Sequence, residues 1–224
     1  MRGFAHIDTW VFDLDNTLYP ASCRLFDQID VKMTGLVSEI LKVPRIEART
    51  IQKSLFHKHG TTLRGLMMEH EVDPAYFLHH AHDIDYSPVA ADVALDQALS
   101  VLKGRKLIFT NGTVAHAKNV LKRLGISHHF NDIFDIVHSD YVPKPQREPY
   151  DKFIRQTNIR STTSAMFEDI ARNLEAPHDL GMTTVLITSD DNADANILNG
   201  EGRPDYVHHT TNDLAGFLKS IVIN

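Results

Sequence analysis

Cysteine is almost absent. Cys23 is the one cysteine in 224 residues, so the chain can form no internal disulfide and no CxxC metal site, which fits a reducing compartment. Cys23 itself reads as a packing residue. Long apolar runs are lacking too: no window approaches the ~18 consecutive apolar residues of a membrane span. The opening stretch MRGFAHIDTWVF lacks the unbroken apolar segment of a signal peptide. A cytoplasmic location is the expectation. Positive charge is also in short supply, with 23 Lys and Arg against 29 Asp and Glu, a net charge of -6 and no long basic run. That balance gives no footprint for a nucleic acid polymer or an anionic membrane, and a small-molecule partner is expected instead. GxSxG, HExxH and GxGxxG are missing, which removes the main signals of serine hydrolases, zincins and dinucleotide folds. Gly60 to Gly65 has nearly Walker spacing, but Leu66 stands where the lysine belongs and no strand precedes it. No repeat or low-complexity segment is present, and nothing in the sequence sets the oligomeric state.

What is present suits one core and a smaller accessory module, with 42% hydrophobic residues. Short apolar runs recur, each followed by turn residues and a helix-like stretch: WVFDLD, KLIFTNG, IFDIVHS, SAMFED, TTVLITSD and, last, DYVHHTT. Strands alternating with helices at this spacing predict an α/β fold, a mostly parallel sheet with helices on both faces. In HAKNVLKRLG, Ala117, Val120, Leu121 and Leu124 share a helix face and Gly125 stops the helix. A second helix is expected to begin at Pro177 and end at Gly181.

Between residues 20 and 88 the rhythm changes. Leu25, Ile29, Met33, Leu36, Val37, Ile40 and Leu41 keep helical spacing, and IEARTIQKSLF, LRGLMMEH and PAYFLHHA continue the pattern with no strand-like run. The chain therefore divides into a core of residues 1–19 and 89–224 and a helical insertion, 20–88. An insertion at a strand's carboxyl end stands where ligands bind in open parallel sheets, so it is placed to act as a lid.

The stretch VFDLDNTLYP, residues 11–20, carries the main chemical signal. With Trp10 to Leu14 as a strand, Asp13 and Asp15 project to one side, and two like charges buried together need a cation or a shared proton. A single Asp after a strand caps a turn, but D-x-D-x-T after a fully apolar lead-in exceeds that need.

DLDNT resembles the first motif of the haloacid dehalogenase-like superfamily, most of whose members are magnesium-dependent phosphohydrolases. FTNG, closing on Thr110, Asn111 and Gly112, resembles the second; Lys144 in PKPQREPY the third; Glu168-Asp169 in FEDI the fourth. The resemblance implies a Rossmann-like core with an all-helical cap, and roles that the chemistry of a phosphate ester explains. Asp13 would attack phosphorus and form an aspartyl phosphate. Asp15 would protonate the leaving oxygen and then deprotonate water, helped by the Asp13 charge, which raises its pKa. Mg2+ would be held by the Asp13 carboxylate, the backbone carbonyl of Asp15 and Asp169. Thr110 would offer a hydroxyl, and the amides of Asn111 and Gly112 would face an oxyanion. Lys144 would hold Asp13 and the phosphoryl group together. Glu168 is an outer or alternative metal ligand or a plain surface residue, and Asn173 orients the loop after Asp169 or is simply a polar turn residue.

DLDNTLYP, TNGTVAHAKNVLKRLGI, FEDIARNLEAPHDLGMTTVLI and the insertion stretch HKHGTTLRGLM are similar to the pyrimidine 5'-nucleotidase subfamily, which implies a nucleoside monophosphate substrate such as UMP or CMP. The alternatives are a broad-specificity sugar-phosphate phosphatase, a phosphomutase, or a catalytically retired small-ligand binding module. Arg64, Thr61 and Thr62 could reach a ligand but equally cap a helix start. His79, His80 and His82, with Asp83 and Asp85, read as a solvated return linker rather than a transition-metal site, and His128-His129 and His208-His209 as surface residues.

Overall fold

The computed structural model describes residues 3–189 and 203–223. Its sheet holds six parallel strands: β1 (Thr9–Phe12), β2 (Arg105–Phe109), β3 (Asp132–Phe134), β4 (Ser164–Glu168), β5 (Thr183–Ile187) and β6 (His209–Thr211), in the spatial order β3-β2-β1-β4-β5-β6. Runs such as TWVF and SAMFE are buried at every residue, as strands covered on both faces must be. Alternation divides β1 between two cores. Trp10 and Phe12 join Ile108, Phe167 and Val185 on one face, whereas Val11 joins Leu107, Phe109, Met166 and Tyr150 on the other. Cys23 packs at the edge of the first of these cores, as a packing residue should.

Four helices, α1 (Leu25–Leu41), α2 (Arg45–His59), α3 (Thr62–His70) and α4 (Pro74–Ala81), lie between β1 and β2 in sequence. They bury a third core of their own, with Leu36, Val37, Leu55, Leu66 and Phe77 at its centre. Helix α5 (Val93–Val101) then leads into β2, and α6 (Val114–Leu124), α7 (Arg147–Thr157) and α8 (Glu175–Asp179) follow β2, β3 and β4. A last helix, Leu214–Ile223, ends the described chain. No helix among the described residues is long and apolar enough to cross a membrane.

Helix α6 starts at a Thr113 cap and stops at Gly125 with φ +78, as its sequence predicts. Two expectations shift. Strand β1 ends at Phe12 rather than Leu14: Asp13 N–H still bonds Phe167 O, but Leu18 N–H turns back to Leu14 O and Asn16 takes φ 58. Alternation within a strand therefore does not aim Asp15; the turn does. The helix expected at Pro177 begins at Glu175, because a 3-10 turn over Ala171–Leu174 feeds it directly. Pro177 is tolerated there because first-turn N–H groups have no intrahelical partner.

Candidate active site

Register delivers the site. Phe12 pairs with Ile108 on one side and Phe167 on the other, so the chain segments leaving β1, β2 and β4 emerge side by side. They form the floor of a cavity of about 410 Å³, and helices α1 to α4 supply its roof. Asp13, Asp15, Thr110, Asn111, Gly112, Lys144, Glu168, Asp169 and Asn173 all line it.

Lys144 is the hub of the floor. Its ammonium is buried and donates to Asp13 Oδ1 at 2.7 Å, Glu168 Oε1 at 2.7 Å and Phe109 O at 3.0 Å, which uses all three of its N–H groups. Burial works against its charge, but Asp13 and Glu168 outweigh burial and raise its pKa. Asn111 anchors the lysine's backbone, its Oδ1 accepting from Lys144 N–H at 2.9 Å. Glu168 is held on both oxygens: Oε1 also accepts from Asn173 Nδ2 at 2.6 Å, and Oε2 accepts from Ile170 N–H at 2.7 Å. Asn173 therefore orients Glu168 at the head of the loop it was expected to orient.

The carboxylates are crowded. Asp13, Glu168 and Asp169 each offer an oxygen, and these lie within 4.8 Å of one another. Burial raises Asp13 to about 7, the Lys144 charge pulling down and the Glu168 charge pushing up. Burial and then the charges of Glu168 and Asp13 raise Asp169 to about 9. One ammonium does not neutralise this all-oxygen group, and such a donor set suits a hard divalent cation.

Asp15 behaves oppositely, which overturns the expectation that Asp13 lifts its pKa. Burial would raise it, but the His116 charge and hydrogen bonds from His116 and Tyr19 win and hold it at about 2. The Tyr19 hydroxyl donates to Asp15 Oδ1 at 2.5 Å, and His116 Nε2 lies 2.7 Å from the same oxygen.

The turn after β2 differs from its expected role in one respect. The Gly112 N–H donates to Thr110 Oγ1 at 2.9 Å and is thus already engaged. Thr61 caps α3 by accepting from Arg64 N–H at 3.1 Å, while the Arg64 guanidinium reaches Tyr141 O.

Sequence reasoning missed His116, Tyr19, Tyr86 and the part played by His82. His116 is fully buried, and the His82 ring stacks on it at 4.6 Å between centroids. His82 also lines the cavity, so the solvated-linker reading fails for that residue, although Asp83 and Asp85 do face outward, pairing with Lys32 and Ser87. The available signal was periodicity: His116, Val120 and Leu124 share one stripe of α6, and a histidine heading a buried stripe needs a polar partner.

Similarity to known proteins agrees with this architecture. Over 193 residues the chain is 26% identical to Phosphate metabolism protein 8 of Saccharomyces cerevisiae, covering 78% of this chain and 60% of that protein. The chain thus spans about 60% of that relative's length. Among solved structures, a HAD phosphatase from Thermococcus onnurineus matches with a TM-score of 0.63 at 14% identity, covering 96% of this chain and 98% of that one. The 2-haloacid dehalogenase of Pseudomonas syringae pv. Tomato DC3000 matches with a TM-score of 0.59 at 16% identity, covering 97% and 98%. YfnB of Bacillus subtilis, whose structure is described as magnesium-bound, matches with a TM-score of 0.57 at 14% identity, covering 96% and 98%. At these identities the solved structures establish the shared fold alone. The family model described as haloacid dehalogenase-like hydrolase matches residues 7–181, a span that includes every floor residue named above, and the chain belongs to that family.

Proposed function

We propose that this hydrolase cleaves phosphate monoesters through an aspartyl phosphate on Asp13, with residues 1–19 and 89–224 as its core and 20–88 as its cap. The observation that carries this reading is the pairing of two unlike carboxylates on one cavity floor. Asp13 is held by Lys144, and Asp15 is held across from it by His116 and Tyr19.

An Asp13 oxygen attacks phosphorus as the ester P–O bond breaks, and the leaving oxygen takes a proton from Asp15. Water then attacks the phosphorus of the aspartyl phosphate, gives its proton to Asp15 and displaces the Asp13 carboxylate with inorganic phosphate. The ionised state of Asp15 suits the second step. For the first, an arriving phosphate dianion adds negative charge beside Asp15 and favours its protonation. Lys144 holds Asp13 in place and offsets charge on the transferred group, with Thr110 and Asn111 beside it. Asp13 and Asp169, with the backbone carbonyl of Asp15, would hold Mg2+, which when bound supplies the charge neutralisation that the crowded carboxylates and a phosphate dianion require.

A nucleoside monophosphate is the proposed substrate. The roof offers apolar side chains, Phe26, Ile29, Met33, Leu63, Phe77 and Leu78, for a flat base, and the polar residues Asp30, Gln52 and Lys53 for its edge. Dehalogenation requires no acid two residues after the nucleophile, so Asp15 favours the phosphatase. A phosphate-release panel of nucleoside and sugar monophosphates, with Mg2+ and with chelator, tests both levels. Mg2+-dependent release, fastest with UMP or CMP, is the expected result. Release from sugar phosphates alone would discard the nucleotidase reading, and no release from any ester would discard the phosphohydrolase.

A further inference from the structure

Asp15 has two carboxylate oxygens in unlike surroundings. Oδ1 receives both the Tyr19 hydroxyl at 2.5 Å and His116 Nε2 at 2.7 Å, whereas Oδ2 has no hydrogen-bond partner among the described residues and lies beside Gly112 at the cavity. A carboxylate gripped by one oxygen from two directions cannot rotate freely, so its other oxygen is aimed.

His116 is itself gripped. Its N–H bonds the Thr113 hydroxyl at 3.2 Å, which fixes its place in the first turn of α6. Its Nδ1 lies 3.0 Å from the Tyr86 hydroxyl, and the Tyr86 hydroxyl donates to His82 O at 3.1 Å. The His82 ring stacks on the other side at an interplanar angle of 17°. Residues 82 and 86 belong to the segment that returns from the roof helices to the core. A buried histidine with partners on both ring nitrogens and a stacked neighbour has one orientation open to it.

We propose that His116 is the positioning residue for Asp15: it holds Oδ1 so that Oδ2 carries the proton to and from substrate, and the returning segment locks it there through His82 and Tyr86. This rests on the phosphohydrolase reading and goes beyond it by assigning the proton-transferring oxygen and the residues that aim it.

The consequence is selective. An alkoxide leaving group needs the proton that Asp15 delivers, whereas p-nitrophenolate leaves without one. His116→Leu should therefore slow leaving-group release from a nucleoside monophosphate, read in a single turnover, by about 10²-fold while leaving the p-nitrophenolate burst within about 3-fold of wild type; the hydrolysis step, in which Asp15 takes the proton of water, should slow alike for both esters. His116→Gln, which restores an N–H close to Nε2, should recover most of the lost rate. Tyr86→Phe keeps the ring and removes only the hydroxyl on Nδ1; it should show a smaller loss with the same selectivity, and it decides the matter if His116→Leu does not fold. Equal losses of single-turnover release on the two substrates, or no recovery with glutamine in a protein of unchanged melting temperature, would overturn the positioning role. A wild-type protein inactive on both esters would remove the phosphohydrolase reading and this role together, whereas an active wild type with unselective variants removes this role alone.

Discussion

The two walls of the cavity are built from opposite materials. The floor is charged and cross-linked: Lys144 joins Asp13 and Glu168 from two strand ends, and Asn173 holds Glu168 in turn. The roof is helical and mostly apolar, and a charged knot at the cavity is Asp30, which accepts from Gln52 at 2.8 Å and from Lys53 at 3.2 Å and also pairs with Arg49. A rigid charged floor under an apolar roof separates chemistry from selection. Changes below should strike kcat and stability, and changes above should strike KM.

The largest effect should come from Asp13→Asn. Phosphate release should fall by roughly 10⁴-fold or more, as loss of an enzymatic nucleophile does, with the melting temperature held or raised because a crowded buried charge has gone. Release at the parent's rate would end the assignment of Asp13.

Lys144→Met comes next. It leaves Asp13 and Glu168 buried without their shared cation, and unfolding in urea should show a loss of about 3–5 kcal/mol, the usual result of removing one partner from a buried ion pair. An unchanged midpoint would mean that the floor does not depend on its hub.

Metal and pH should then act together. Asp13 and Asp169 have folded-state pKa values of about 7 and about 9, above their ordinary value of 3.8. At Asp13 and Asp169 the folded chain therefore holds more protons than the unfolded chain from about pH 4 up to about pH 7 and 9, so these two groups make stability fall as pH rises through that window, opposed only below pH 6.5 by His82, which burial lowers to about 4. With chelator present, the melting temperature should drop from pH 5 to pH 8. Mg2+ should raise it at pH 8 and barely at pH 5, where protons occupy the same oxygens. Equal stabilisation at both pH values would contradict a cation held by these carboxylates.

The smallest effect belongs to the roof. Asp30→Asn should alter KM for nucleoside monophosphates several-fold, unequally between bases, with kcat unchanged. A matching fall in kcat would show that the two walls are not independent.

The floor was largely legible in the sequence, because D-x-D-x-T closing an apolar run has few structural uses; Lys144 and the turn after β2 followed only from the motif resemblance. What stayed hidden were partnerships across long separations. Asp15 and His116 are 101 positions apart, and a histidine inside a helix stripe carries no mark of the carboxylate it will meet. For that reason the direction of the Asp15 shift was also misjudged: its sequence neighbour Asp13 was visible and its spatial neighbour was not. Glu168 and Asn173 were each noticed, but their bond to one another across five positions was not foreseen. The roof helices followed from periodicity. Which of their apolar faces meet the cavity did not, because Leu63, Phe77 and Leu78 do duty both in the helices' own core and on the ceiling.

Strand order has an engineering consequence. The chain leaves the sheet at residue 12 and rejoins it at residue 105, while Thr110, Lys144, Glu168 and Asp169 follow in one uninterrupted stretch after that return. The covalent path linking those four never passes overhead. Foreign helical modules grafted after Tyr19 and before the returning segment 82–86 would inherit the same reaction centre, and new selectivities could be sought by swapping the upper storey without rebuilding the lower.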